Sequence, residues 1–174
     1  MEAGTLYWIT GLAGAGKTTI GKEVHRLLKQ RKENLVFLDG DILRPMLGDI
    51  FGYSYDERMR CAQQYSRICK MLTDQGLDVV ICTISMFDLV RQWNRDNFEN
   101  YFEVFVDTPM EILRQHNKKN LYHDTEGSDE KQVAGVSFEI QLPKKPDFRI
   151  ENDMTIAPEE WAKKIIEARE SKRK

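Results

Sequence analysis

Gly11-Leu12-Ala13-Gly14-Ala15-Gly16-Lys17-Thr18 has the spacing G-x-x-x-x-G-K-[ST], a set of residue types suited to holding a chain of phosphates. Its glycines let the backbone curl until successive N–H groups converge on phosphate oxygens, its lysine adds charge, and its threonine hydroxyl can reach Mg²⁺. The expected nucleoside triphosphate contacts are Gly11, Ala13, Gly14, Ala15, Gly16, Lys17, Thr18 and Thr19. A second chemical group follows at Asp39-Gly40-Asp41. Of two carboxylates so spaced, one can orient a metal ion or its water while the other accepts a hydroxyl proton. Arg44 stands three residues further on, where a planar guanidinium suits phosphate or sulfate oxygens. Arg58, Arg60, Arg91 and Arg95 lie on polar segments and, taken singly, read as solvated helix residues.

These groups need rigid elements to bring them together. Short apolar runs rich in β-branched and aromatic residues occur at Leu6 to Thr10, Leu35 to Leu38, Val79 to Ile84 and Tyr101 to Val106, and Phe148 to Ile150 adds a candidate fifth. Between them lie polar segments of helical period, such as Ile20, Val24, Leu27 and Leu28 on one face. Alternation of continuous apolar strands with helices predicts an α/β fold whose parallel sheet is covered on both faces. The phosphate motif then sits between one strand and one helix, and the acidic pair ends the next strand. In open sheets of this kind ligands bind beyond the carboxyl ends of the strands, so both groups should face one crevice.

Tyr55 to Gln75 lacks Gly and Pro and predicts a long helix, with Gly76 in the usual place of a left-handed cap. Thr108-Pro109 reads as a helix start, Thr108 capping and Pro109 at the first helical position. Ala157 to Lys172 predicts a C-terminal helix with Trp161, Ile165 and Ile166 inward. Residues 123–132 read as an exposed loop.

The 174 residues form one expected domain, and 26 basic against 28 acidic side chains give a net charge of −2. Nothing in that balance favours nucleic acid or an anionic membrane, so a polyanionic ligand must be held locally. No apolar run approaches the roughly 20 residues of a membrane span, nor is there a secretion-signal pattern; the expected location is cytoplasmic. Cys61 and Cys69 lie eight residues apart on the long helix, about 12 Å along its axis and beyond disulfide reach. With Cys82 they read as buried free thiols in a reducing compartment. His25, His116 and His123 lack metal-ligand spacing.

The phosphate motif, Leu38-Asp39-Gly40-Asp41-Ile42-Leu43-Arg44, Phe51-Gly52-Tyr53-Ser54 with Arg58, Ile84-Ser85-Met86-Phe87, Glu103 to Pro109 and Lys119-Asn120-Leu121-Tyr122 together resemble the adenylylsulfate kinase family in order and spacing, from Leu6 to about Tyr122. The resemblance implies a P-loop fold with a five-stranded parallel sheet, ATP with Mg²⁺, a possible homodimer, and γ-phosphoryl transfer to the ribose 3′-hydroxyl of a nucleotide. It implies that Asp41 partners the attacking hydroxyl, that Asp39 supports metal or base function with Thr18 at the metal, and that Ser85 lies near the reacting phosphates with Lys17. Arg44 and Arg58 would hold the acceptor's anionic group, and Tyr53, Cys61, Ile84 and Leu121 would line its pocket. Lys119 would cover the phosphates from a lid at about residues 118–135.

Three departures bear on the acceptor. Cys61 stands where the family usually has asparagine, and Val133 stands where it usually has a phenylalanine that stacks on adenine; the lid is acidic rather than basic. The chain accordingly looks like the relatives that phosphorylate cytidine diphosphoramidate for phosphoramidate-decorated surface polysaccharides, with adenylylsulfate as the alternative acceptor. Asn117-Lys118-Lys119-Asn120 and Asp124-Thr125-Glu126-Gly127 nearly match GTPase motifs but in the wrong order, and Asn120 lacks the second acceptor oxygen that guanine requires.

Overall fold

The computed structural model describes residues 2–48, 51–115 and 140–172. Strands β1 (Thr5–Gly11), β2 (Leu35–Asp39), β3 (Asp78–Thr83), β4 (Asn100–Asp107) and β5 (Phe148–Glu151) form one sheet in the order β2-β3-β1-β4-β5. All four pairings are parallel. The helices are α1 (Lys17–Lys29), α2 (Gly40–Met46), α3 (Tyr55–Thr73), α4 (Asp88–Asn97), α5 (Met110–Gln115) and α6 (Pro158–Ser171).

Every residue of β1 and β3 is buried, as continuous apolar runs require when both sheet faces are covered. Alternation along the strand divides the core in two. Tyr7 and Ile9 of β1, with Val80, Cys82, Val104 and Val106, meet Ile20, Val24 and Leu28 of α1 and Ile165 of α6. Leu6 and Trp8, with Val79 and Ile81, meet Cys61, Tyr65 and Cys69 of α3 and Val90 of α4. The apolar stripe expected on α1 therefore faces the sheet, and the three cysteines are buried free thiols.

Helix α3 begins with a full capping box in which Ser54 accepts from the Glu57 N–H while the Glu57 carboxylate accepts from the Ser54 N–H. It ends at Thr73, two residues short of the expected boundary, and Gly76 supplies the left-handed turn at φ 79°. Helix α5 starts after Pro109, and the Thr108 hydroxyl donates to the Ala15 carbonyl at 3.3 Å rather than capping the helix. The reason is tertiary: the phosphate loop brings a buried carbonyl against the end of β4. Arg91 also departs from expectation. It is buried on α4 and, with Arg95, faces Glu103 of β4, itself 2% exposed. Arg91 further donates to the Gln141 carbonyl at 2.6 Å, and the Gln141 side chain accepts from the Asp88 N–H at 2.7 Å. This buried ion cluster fastens the chain that returns toward β5. No helix among the described residues is long and apolar enough to cross a membrane.

Helix α1 approaches β3 closely because residue 21 is glycine. A Cβ there would lie 2.2 Å from Cys82 Sγ, whose thiol donates to the Lys17 carbonyl at 3.2 Å. Burial pushes this thiol's pKa up to about 12, so it stays a neutral donor. Gly21→Ala is therefore expected to overpack the interface and destabilise the fold by about 1–3 kcal/mol, read from chemical denaturation; unchanged stability would show that the helix can shift freely.

Candidate active site

The phosphate loop leaves β1 at Gly11 and enters α1 at Lys17, with Gly14 and Gly16 at φ 77° and 90°. Only glycine adopts such left-handed angles without strain. At Gly11 the constraint is close approach, since a Cβ would lie 2.5 Å from the Val106 carbonyl. The loop is braced from behind: Asn152, 3% exposed, donates to the Ala15 carbonyl at 2.9 Å beside the Thr108 hydroxyl. Ala13, Gly14, Thr18 and Thr19 remain partly or fully accessible, while Gly11 and Ala15 are buried. Lys17 bends over the loop and donates to the Leu12 carbonyl at 2.6 Å. A helix N-terminus and curled N–H groups in this arrangement attract anions.

Asp39 ends β2 and caps α2. Its Oδ1 accepts from the Asp41 N–H at 2.9 Å and its Oδ2 from the Thr18 hydroxyl at 2.7 Å. Helix α2 begins directly after Asp39 and sets Asp41 in its exposed first turn. The Thr18–Asp39 oxygen pair suits a hard cation that keeps several waters and takes one or two protein ligands. Groups of three or more His, Cys, Asp or Glu placed to hold a metal are absent among the described residues, so the residues fit Mg²⁺ carried by a nucleotide better than a caged ion.

Beyond β3, Ser85 is buried and held at φ 22°. Its hydroxyl pairs with that of Thr83 at 2.6 Å, and the Ile84 carbonyl accepts from Thr10 at 2.5 Å. Non-glycine residues rarely adopt such angles, and strain of this kind clusters at functional sites. Ser85 and half-buried Ile84 thus follow a strand end adjacent to those carrying the phosphate loop and Asp39.

Arg44 and Arg58 form the fourth part. The Arg44 guanidinium lies 4.4 Å and that of Arg58 5.1 Å from the centre of the Tyr53 ring. Arg44 donates to the Phe51 carbonyl at 2.9 Å and to that of Gly52, and Arg58 donates to the Tyr53 carbonyl at 2.8 Å. Burial, and then the charge of Arg44, pull the Arg58 pKa below its ordinary value. Two like charges gathered on one ring make a site that gains from an anion. Cys61, one turn beyond Arg58, is 1% exposed and lies with Tyr65 in the core between α3 and the sheet. Lys119, Leu121 and Val133, the lid and the near-GTPase segments lie outside the described residues.

The structure thus brings Lys17, Thr18, Asp39, Asp41 and Ser85 to the carboxyl ends of β1, β2 and β3. Sequence reading missed Thr83, Asn152 and Tyr65, which act on backbone carbonyls or neighbouring hydroxyls and carry no motif. Asn152 directly follows β5 between Glu151 and Asp153, where nothing in its type sets it apart.

The adenylylsulphate kinase family profile matches residues 3–151. The chain is 39% identical to the cytidine diphosphoramidate kinase of Campylobacter jejuni over 163 residues, covering 92% of this chain and 94% of that protein. It is 33% identical to an adenylyl-sulfate kinase of Halothermothrix orenii, covering 98% and 92% respectively. Among solved structures, the Mycobacterium tuberculosis APS kinase bound to AMPPNP and APS superposes with a TM-score of 0.87 at 30% identity, over 98% of this chain and 99% of that one.

Lys17→Ala should reduce kcat/KM by at least about 100-fold and weaken ATP binding too, because it removes charge from the phosphates in both ground and transition states. Calorimetric ATP titration beside steady-state kinetics separates the effects; normal ATP affinity would remove the ammonium from ground-state binding.

Proposed function

The chain belongs to the adenylylsulfate kinase family of ATP-dependent phosphotransferases, and on that premise we propose that it phosphorylates the ribose 3′-hydroxyl of a nucleotide anhydride, with cytidine diphosphoramidate as the preferred acceptor. The reading is carried by the 2.7 Å Thr18–Asp39 hydrogen bond, which joins the phosphate loop to the acidic turn from which α2 carries Arg44. The cytidine nucleotide is supported by the 39% identity to the Campylobacter jejuni enzyme. It is further supported by Cys61, one turn beyond Arg58 on α3, whose buried thiol offers no amide. The second reading, adenylylsulfate as acceptor, draws support from the superposition on an APS-bound kinase.

In this mechanism Arg44 and Arg58 bind the anionic group of the acceptor and orient its ribose. Tyr53 and Ile84 border the nucleotide, and Asp41 accepts the proton of the 3′-hydroxyl as its oxygen attacks the γ-phosphorus. Lys17 and the loop N–H groups follow the negative charge as it moves toward the β–γ bridging oxygen. Mg²⁺, held through Thr18 and Asp39, would supply further neutralisation of the phosphates. Such transfer depends mainly on positioning and fixed charge. Ser85 stands ready to hydrogen-bond a reacting phosphate, and its strained backbone keeps that hydroxyl aimed. Outside the described residues, Lys119, Leu121 and Val133 complete the proposed nucleotide contacts. A homodimer in the cytoplasm belongs to the same proposal.

Two measurements test it. With cytidine diphosphoramidate and adenylylsulfate compared in one coupled assay, kcat/KM should favour the cytidine nucleotide; a clear preference for adenylylsulfate would refute that choice and support the second reading. Asp41→Ala should abolish transfer while leaving ATP affinity close to normal, and unchanged turnover would remove Asp41 from its role.

A further inference from the structure

Two turns beyond Arg58 on α3, Tyr65 is 5% exposed, its ring packed among the apolar residues between α3 and the sheet. Its hydroxyl donates to the Gly40 carbonyl at 3.1 Å. That carbonyl and the Asp41 N–H belong to one peptide unit, which resonance keeps planar. The N–H end donates to Asp39 Oδ1 at 2.9 Å, so the plane is held at both ends, by Asp39 on one side and Tyr65 on the other. Such a clamp matters at this place because glycine lets the chain rotate freely on the near side of the plane. With both ends held, the Asp41 N and Cα are fixed relative to Asp39 and, through it, to Thr18 and the phosphate loop, which sets the point from which the Asp41 side chain departs.

We infer that Tyr65 is a positioning residue for phosphoryl transfer, its hydroxyl and the Asp39 carboxylate together clamping the Gly40–Asp41 peptide so that Asp41 meets the acceptor hydroxyl. This rests on the reading of Asp41 given above. Seven residues along a helix span about 10 Å, so α3 sets the distance between the anion-binding Arg58 and the acidic turn through one stiff rod. A carboxylate displaced by even 1 Å can cost about 100-fold in rate. The ring of Tyr65 belongs to the core, but the hydroxyl serves the turn.

Tyr65→Phe removes the hydroxyl alone. The expected result is a fall in kcat of about 10- to 100-fold, with KM for ATP and for the acceptor nucleotide within about threefold and near-normal thermal unfolding. In an Asp41→Asn background, measured under single-turnover conditions, adding Tyr65→Phe should lose no more than about twofold, because the two changes act on one group. The ¹³C resonance of the Gly40 carbonyl should also shift between the wild-type chain and Tyr65→Phe. Unchanged kcat, the full loss repeated on top of Asp41→Asn, an unmoved Gly40 resonance, or unfolding on loss of this one hydroxyl would each overturn the inference. A wild-type chain that phosphorylates neither nucleotide would instead overturn the proposed function, and the carbonyl resonance would still decide whether Tyr65 holds the turn.

Discussion

The Thr18–Asp39 hydrogen bond crosses a strand. Thr18 opens α1 after β1, Asp39 closes β2, and β3 lies between those two strands in the sheet. The hydroxyl reaches the carboxylate because α1 settles tightly onto β3, where Gly21 leaves room for Cys82 and the Cys82 thiol holds the Lys17 carbonyl. Bringing the phosphate loop to the acidic turn is therefore a packing matter. A methyl group added on the sheet-facing side of α1 would displace the helix end that carries both Lys17 and Thr18. Once that approach is fixed, the remaining polar contacts follow in sequence: Asp39 caps α2, α2 presents Asp41, and Tyr65 seizes the intervening peptide from α3.

The sheet's two faces have different tasks. On the face covered by α1 and α6, apolar contact dominates and supports the loop from below. On the opposite face, α3 carries Arg58 and α4 carries Arg91 and Arg95, and the Glu103 cluster ties α4 to the chain returning at Gln141 and Asp147. Burial raises the Glu103 carboxyl pKa above the usual carboxylate range, while Arg95 and Arg91 draw it back. Removing either partner from such a buried arrangement strands a charge in a poor solvent. The cluster's consequence for the site is indirect: it fixes the start of α4, hence the Ile84 to Phe87 turn that holds Ser85.

Arginines show how little residue type says without placement. Arg91 and Arg95 looked like solvated helix residues, since their spacing on a polar segment gives no hint of Glu103 on a strand eight or more residues away. Folding buries Arg91 and sets Arg95, which stays exposed, against the Glu103 carboxylate. Arg44 and Arg58 were legible as anion-binding residues from their motif, yet only the turn through Phe51 and Gly52 brings both onto Tyr53. Such arrangements depend on which elements become neighbours, and helix or strand period carries no record of that.

By itself the sequence determined the phosphate loop, the acidic pair, the α/β alternation and the family, because each rests on local backbone geometry: glycine angles, strand apolarity, and helix period operate within a few residues. Tertiary structure alone decided that Asp39 serves Thr18 and Asp41 at once, that Cys61 is buried against Tyr65, that Asn152 and Thr108 brace Ala15, and that Tyr65 reaches Gly40. These contacts join residues from 2 to 137 positions apart, and those between distant segments exist only where packing of α1, α3 and the strand ends brings a donor within hydrogen-bond reach of a buried acceptor. The chemistry of each residue was legible in its type, whereas its partner was a property of the fold.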